Sequence, residues 1–416
     1  MVKIVGLAES LAQLVPGERV FVPGASGAPT AWMDLLLSAP AHSNGLSIMT
    51  TYVPGINRLA LDHLHSTAVV SGLFMHAELA SAQRNKSYRH LPLSYGGFLR
   101  AIGEEAPFDV AVFQVAPPDG NGRCSLGPSV EFNTVIFGRA RRRVGVINAA
   151  TPVVRGAPSL PLSSFDTVVD CDAALAVYGA SDAGRTAAAI AGHVASFITD
   201  GTTLQIGLGK VPAAVLDALG DRRGLRFHSG MLSDGFMGLH ARGALRRDHD
   251  HVACTLVGSR EFYDWAADCP FIQLRGCEET HAPARLAALD RLVAINSALE
   301  VDLFGQCNLE FLGGRAVSGP GGAPDFAAAA KRAQGGISIV ALPASSQGAS
   351  RIRACLEPGT TASLARSEVD VVVTEHGAAD LRGCSVYERA EALIRIAMPG
   401  ARDELAAAWR SLAARF

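Results

Sequence analysis

Gln205-Ile-Gly-Leu-Gly-Lys-Val-Pro212-Ala-Ala-Val-Leu-Asp217-Ala-Leu219 decides the fold when it is set beside Val22-Pro-Gly-Ala-Ser-Gly-Ala-Pro29-Thr-Ala-Trp-Met-Asp34-Leu-Leu36. In each, a glycine is followed five positions on by proline, and then by Pro-x-Ala-x-x-Asp-x-Leu. Pro29 and Pro212 lie 183 positions apart. A second pair of blocks keeps that spacing: Asp119-Gly-Asn-Gly122-Arg-Cys124-Ser-Leu126 and Asp302-Leu-Phe-Gly305-Gln-Cys307-Asn-Leu309. Two blocks in one register imply a tandem duplication. The expected domains are 1–183 and 184–416, with a boundary near 178–185, where the sequence reads Tyr-Gly-Ala-Ser-Asp-Ala-Gly-Arg.

The spaces between the blocks fit one architecture. Val110–Val115, Ile337–Leu342 and Val369–Thr374 are short runs rich in β-branched residues, suited to strands buried on both faces of a parallel sheet. Thr186–Thr199 and Glu388–Ile396 read as helices. The alternation predicts an α/β fold of two duplicated open domains.

The bulk numbers agree and exclude several classes. The 416 residues are 49% hydrophobic and 18% charged, with a net charge of −2. A length of this order exceeds one ordinary domain, and no charge excess points to nucleic acid or an anionic membrane as a partner. No apolar run is long enough to span a bilayer, and the N-terminal stretch, which carries Glu9 and Glu18, does not read as a secretory signal. The eight cysteines form no CxxC pair and have no histidines at zinc spacing, so they read as reduced thiols of a cytoplasmic protein with no metal.

Each repeated block reads as strand, glycine elbow and helix, with proline in the first helical turn. Backbone amides at such an elbow can hold a phosphate, a carboxylate or a developing oxyanion. A tight turn that binds nothing is the alternative for either elbow taken alone. Gly319, Gly321 and Gly322 form another cluster, bare enough for a ligand to lie against, ahead of Asp325-Phe326 and an Ala-rich helix.

The chain resembles the acetyl-CoA hydrolase/4-hydroxybutyrate CoA-transferase family. The resemblance rests on Gln114–Gly127 (QVAPPDGNGRCSLG), Ile206–Val215 (IGLGKVPAAV), Ile295–Gln306 (INSALEVDLFGQ), Ser318–Phe326 (SGPGGAPDF), Val373–Gly383 (VTEHGAADLRG) and Glu388–Ala397 (ERAEALIRIA), in family order. It implies domains of the class I CoA-transferase type, coenzyme A as substrate thioester and no metal. The expected partners are an acyl-CoA and a small carboxylate or other acyl acceptor, with a homo-oligomer as the assembly. The usual reaction is ping-pong: a glutamate attacks the acyl-CoA and becomes a glutamyl-CoA thioester. The resemblance also implies that Gly207, Gly209 and Val211 of the second elbow, with Gly319, Gly321 and Gly322, lie around the thioester. Asn296 and Glu375 match polar positions near the nucleophile and the CoA.

One position departs from the pattern. The family's nucleophile stands in His/Tyr-Thr-Glu-x-x-x-Asp-Gly, and here the stretch is His228-Ser229-Gly230-Met231-Leu232-Ser233-Asp234-Gly235. Gly230 takes the place of the glutamate and cannot form the covalent intermediate. Four readings follow: hydrolysis with His228 or Glu375 as base, CoA transfer through a displaced carboxylate such as Glu375 or Glu78, direct acyl transfer to an acceptor beside Gly230, and acyl-CoA binding without catalysis. Ser229 suits a loop hydrogen bond better than nucleophilic attack. The cluster Arg84–His90 suits a solvated surface better than recognition of an acyl carboxylate, and Trp32, Trp265 and Trp409 read as packing residues.

Overall fold

Val110–Val115 is buried at all six positions and runs through the middle of an eight-stranded sheet. The computed structural model describes residues 2–179 and 184–415. The chain divides into two units, Met1–Gly179 with His251–Thr280 and Ala180–Asp250 with His281–Phe416. Part of the boundary stretch read at 178–185, residues 180–183, lies outside the described residues.

In unit 1 the sheet strands are β1 (Lys3–Ile4), β2 (Arg19–Val22), β3 (Ser47–Thr50), β4 (Val69–Gly72), β5 (Tyr88–His90), β6 (Val110–Val115), β7 (Arg142–Asn148) and β8 (Thr167–Cys171). Their order is β1-β8-β7-β6-β2-β3-β4-β5, and all neighbours are parallel. In unit 2 they are β9 (Thr203–Ile206), β10 (Arg226–Phe227), β11 (Leu292–Ser297), β12 (Ile337–Ala341), β13 (Val371–Thr374) and β14 (Gly377–Asp380). Their order is β10-β9-β11-β12-β13-β14; only β14 is antiparallel to its neighbour.

The duplication seen in sequence is visible in this wiring. β3-β2-β6-β7-β8 and β10-β9-β11-β12-β13 follow the same order, with the second strand outside the first and the third on its other side. Such a sheet reverses its winding between the first and third strands, and the carboxyl ends of those two strands open a crevice where ligands bind. In unit 2 this point lies between β9 and β11.

Several helices show why their residues wind where they do. α1 (Thr30–Ser38) and α2 (Tyr95–Glu104) belong to unit 1; α3 (Gly184–Ala195), α4 (Lys210–Ala218), α5 (Ala323–Arg332) and α6 (Val386–Ile396) belong to unit 2. α6 starts two residues before the expected Glu388, because Ser385 accepts from the Glu388 amide while the Glu388 side chain accepts from the Ser385 amide. A reciprocal cap of this kind stabilises a helix by about 1 kcal/mol. α3 ends at Ala195 rather than at the expected Thr199: the Phe197 and Ile198 amides turn back to the carbonyls of Val194 and Ala195, and Thr202 Oγ1 binds Thr199 at both its amide and its carbonyl.

The two elbows differ. After β9 the chain enters α4 directly at Lys210 and carries Pro212 in its first turn. After β2 a short 3₁₀ turn, Ala25–Gly27, intervenes, and Pro29 stands at the cap of α1 rather than inside it. There Gly24 donates to Thr51 Oγ1 at 2.8 Å, and a Cβ on Gly24 would overlap the Thr51 carbonyl.

Residues 251–280, C-terminal in the expected division, pack with unit 1. His251–Ala253 pairs with Ile272–Leu274, and the segment is bound by hydrogen bonds from Leu256 to Pro128 (2.7 Å), Leu274 to Gly156 (3.0 Å) and Cys277 to Glu131 (2.7 Å). Trp32 and Trp409 are buried and Trp265 is half-buried. Among the described residues no helix is long and apolar enough to cross a membrane.

Gly24→Ala is expected to destabilise the protein by about 1–3 kcal/mol through backbone overlap. Gly103→Ala, in an exposed turn of α2 with open space around it, is expected to stabilise by about 0.5–1 kcal/mol. Thermal melts of the two variants check this; a Gly24→Ala melt matching the wild type would refute the close approach.

Candidate active site

The end of β9 meets the end of β11 through a reciprocal amide pair. Gln205 Nε2 donates to Asn296 Oδ1 at 3.3 Å, and Asn296 Nδ2 donates to Gln205 Oε1 at 3.4 Å, both side chains being buried. Beyond it lie Gly207 and Gly209. Among the described residues other than its chain neighbours, no heavy atom stands within 4 Å of where a Cβ on Gly207 would be, and Gly209 has φ +125°, which strains any side chain. The first amide to join the α4 ladder there is that of Ala213, donated to Gly209 at 3.1 Å. The helix therefore presents its N-terminal turn, with buried Val211, at the strand end.

His228, Ser229 and Gly230 follow β10. The His228 amide donates to Leu204 at 3.0 Å. Ser229 Oγ donates to the Ile206 carbonyl at 3.2 Å and accepts from the Ile206 and Met231 amides, each at 3.4 Å. Its hydroxyl is thus committed to holding this loop on the end of β9.

Gly230 faces a residue that the sequence did not single out. A Cβ at Gly230 would lie 3.6 Å from His281 Nε2 and 3.7 Å from its Cε1, with no third heavy atom within 4 Å among the described residues other than its chain neighbours. On another side, a Cβ at Gly322 would fall 2.5 Å from the same Nε2. The His281 ring also meets Phe326 edge-on at 4.9 Å, and the His228 ring meets Phe326 at 6.4 Å. Burial, and secondarily the charge of nearby His228, push the His281 imidazole down to about 3, so it is neutral at physiological pH. Gly322 caps α5, and Gly321, at φ +55°, turns the chain into it. The Gly319–Gly322 segment therefore forms a fixed loop-to-helix turn beside His281.

Glu375 follows β13, two strands along the sheet from β11. One carboxylate oxygen accepts from the Ala344 amide at 2.8 Å, and the other lies 3.9 Å from His376 Nε2. Residues 228, 230 and 322 thus gather around His281, Asn296 pairs with Gln205, and Glu375 is tied to Ala344.

Unit 1 carries a polar cluster of its own. Glu131 is buried with φ +38°, a conformation that strains a non-glycine residue and recurs at functional sites. Thr51 Oγ1 donates to its carboxylate at 3.4 Å while accepting from the Gly24 amide, and Tyr95 also bonds to it. Burial pushes the carboxyl up to about 7, and the two side-chain hydrogen bonds only partly oppose this. A cavity of about 310 Å³ opens at the carboxyl ends of β3 and β4, bordered by Tyr52, Arg58, Phe74, His76 and Glu78. Glu78 Oε2 lies 3.6 Å from His76 Nδ1 and is largely exposed. Arg84, Lys86 and Arg89 are exposed along the sheet edge.

The comparisons with known proteins fit this geometry. The acetyl-CoA hydrolase/transferase C-terminal domain matches residues 258–409. The 4-hydroxybutyrate coenzyme A transferase of Clostridium kluyveri is 30% identical over 412 residues, covering 97% of this chain and 96% of that protein. The chain belongs to the acetyl-CoA hydrolase/transferase family. Among solved structures, RipA from Yersinia pestis superposes with a TM-score of 0.89 at 27% identity, covering 99% of this chain and 97% of that one. The 4-hydroxybutyrate CoA-transferase of Porphyromonas gingivalis superposes with a TM-score of 0.80 at 28% identity, covering 100% and 98%.

For this member of the family, sequence reasoning missed His281 and Glu131. Glu131 left a faint signal, a lone acid between the apolar residues Val130 and Phe132. His281, before Ala282-Pro283, left none, because only folding brings it to residues 230 and 322.

Glu131 links stability to pH. Its folded carboxyl keeps its proton up to about pH 7, whereas an unfolded one releases it near 4.5. Stability from this group is full below 4.5, falls between 4.5 and 7, and is flat above, a loss of roughly 3 kcal/mol. Glu131→Gln is expected to remove that fall. Melting temperatures at pH 5 and pH 8 test it: the wild-type drop should exceed the variant's by several degrees, and equal drops would refute the assignment.

Proposed function

We propose that this enzyme acts on an acyl-CoA thioester without forming a glutamyl intermediate, by hydrolysis or by direct acyl transfer to an acceptor held beside Gly230. The observation that supports the reading is the bare Cα at Gly230, in a stretch that resembles the family's nucleophile motif, with the His281 ring 3.6 Å from where a side chain would start. Acyl transfer without a covalent enzyme still requires donors for the carbonyl oxygen and exclusion of bulk water. The elbow at Gly207–Val211 is proposed to supply the donors, and the glycines at 319–322 to lie against the CoA. Asn296, pinned by Gln205, would orient the thioester. Intact oxyanion donors alone can leave catalysis on the order of 10³-fold over water.

Two features weigh against CoA transfer through a displaced carboxylate. Glu375 spends one oxygen on the Ala344 amide, and Glu78 is mostly exposed and paired with His76. Binding of acyl-CoA without turnover is the reading from another class. No metal takes part in the proposed chemistry. The proposal includes a cytoplasmic homo-oligomer, in keeping with cysteines that are all free thiols and with the family.

A thiol-release assay over a series of acyl-CoAs, with and without acetate, separates these readings. Release without acceptor is the expected result for hydrolysis, acceptor-dependent release for direct transfer, and CoA affinity without release for silent binding. Gly230→Glu has room for its Cβ and is expected to create acetate-dependent CoA exchange. A folded, CoA-binding variant that shows no exchange would refute the assignment of position 230.

A further inference from the structure

We propose that unit 1 carries a binding site of its own, a cavity under α2 that takes a small monocarboxylate with an apolar body. The site does not depend on the thioester chemistry proposed above.

The sheet builds one wall. The pairing register sets Phe21, Met49, Ser71 and Arg89 side by side across β2, β3, β4 and β5. Partnered residues of parallel strands point the same way, and alternation along each strand puts Arg19 and Ser47, paired two positions earlier, on that face as well. Ser71 is the shortest side chain of the row, flanked by Met49 and Arg89. α2 forms the other wall through Phe98, Ala101 and Ile102, and a cavity of about 320 Å³ is left between them. That is the small end of the range for small-molecule sites, about 300–1,000 Å³. Arg19, Ser47 and Phe108 place it toward the amino ends of the strands, whereas the elbow at Gly24 follows the opposite end of β2.

The lining sets the chemistry of the ligand. Met49, Phe98, Ile102 and Phe108 are buried and give it apolar walls. Three guanidinium groups border it against one carboxylate, that of Glu105. Arg19 Nη2 donates to the Glu105 carboxylate at 2.6 Å, and its Nη1 donates to the Ala106 carbonyl. Arg139 Nη2 donates to the Glu105 carbonyl at 2.7 Å. The lining therefore carries excess positive charge, and of the three arginines Arg89 is the one whose side chain has no hydrogen bond or ion pair among the described residues. It stands exposed on the edge strand, at the rim of the cavity. The Ser71 hydroxyl beside it is likewise without a hydrogen bond among the described residues. A guanidinium fork with a hydroxyl next to it matches the two oxygens of one carboxylate. The apolar walls call for a hydrocarbon body, since burying it there removes apolar surface from water on both sides. Acetate, which has almost no such body, leaves those walls wet.

Calorimetric titration of the full chain, free of CoA, with hexanoate tests the site. Saturable binding is expected, with hexanamide, which lacks the charge, and acetate, which lacks the body, each weaker by about tenfold or more. Arg89→Gln removes the guanidinium at an exposed position and is expected to weaken hexanoate by about tenfold or more while leaving hexanamide within about threefold. Arg89→Lys keeps the charge without the fork and is expected to fall between the two. Ser71→Leu extends the shortest side chain of the row into the cavity and is expected to abolish hexanoate binding. Absence of hexanoate binding to the wild type would overturn the site. So would a folded Arg89→Gln whose hexanoate affinity stays within about threefold of the wild type, the result expected if hexanoate sat at the thioester site instead. Neither result bears on thiol release, so the proposed function stands or falls separately.

Discussion

An uncharged imidazole wedged among glycines is the constraint on which the site depends. His281 Nε2 fills the space that a side chain at Gly322 would need and borders the space that a side chain at Gly230 would enter. Removing a histidine from water is tolerable when the ring stays neutral and packs well. Here the aromatic edge of Phe326 and the close backbone provide the packing. The same enclosure makes the ring a fixed, water-poor neighbour for whatever approaches residue 230.

The sheet sets where this happens. β9 and β11 are the first and third strands of the set repeated in unit 2, and their carboxyl ends diverge at the reversal of winding. The Gln205–Asn296 amide pair closes the floor at that point. Ser229 then ties the loop carrying Gly230 to the end of β9. Rigid strands thus hold both the elbow amides and the bare position, which suits the proposed stabilisation of charge on a thioester oxygen.

The sequence reveals the scaffold better than the site. Val110–Val115 was readable as a strand because all its positions but Gln114 are apolar, and the repeat was readable because glycine and proline at an elbow tolerate few substitutes. The His228–Gly235 stretch could be read because it keeps the family's flanking residues. Helix ends were less legible: the reciprocal cap at Ser385 and the tightened turn after Ala195 depend on a few local hydrogen bonds. The placement of residues 251–280 in unit 1 depends on contacts with 128–131 and 156 that no local pattern encodes. His281 and Glu131 stayed hidden for the same reason, since burial and partners give them their character and neither shows in spacing.

Intact-mass analysis of the full-length protein, after incubation with acyl-CoA and rapid quenching, tests most directly whether the enzyme works without a covalent intermediate. The expected result is unmodified protein during active turnover of the thioester. A CoA or acyl adduct on a carboxylate of the protein, formed and consumed at the turnover rate, would contradict it.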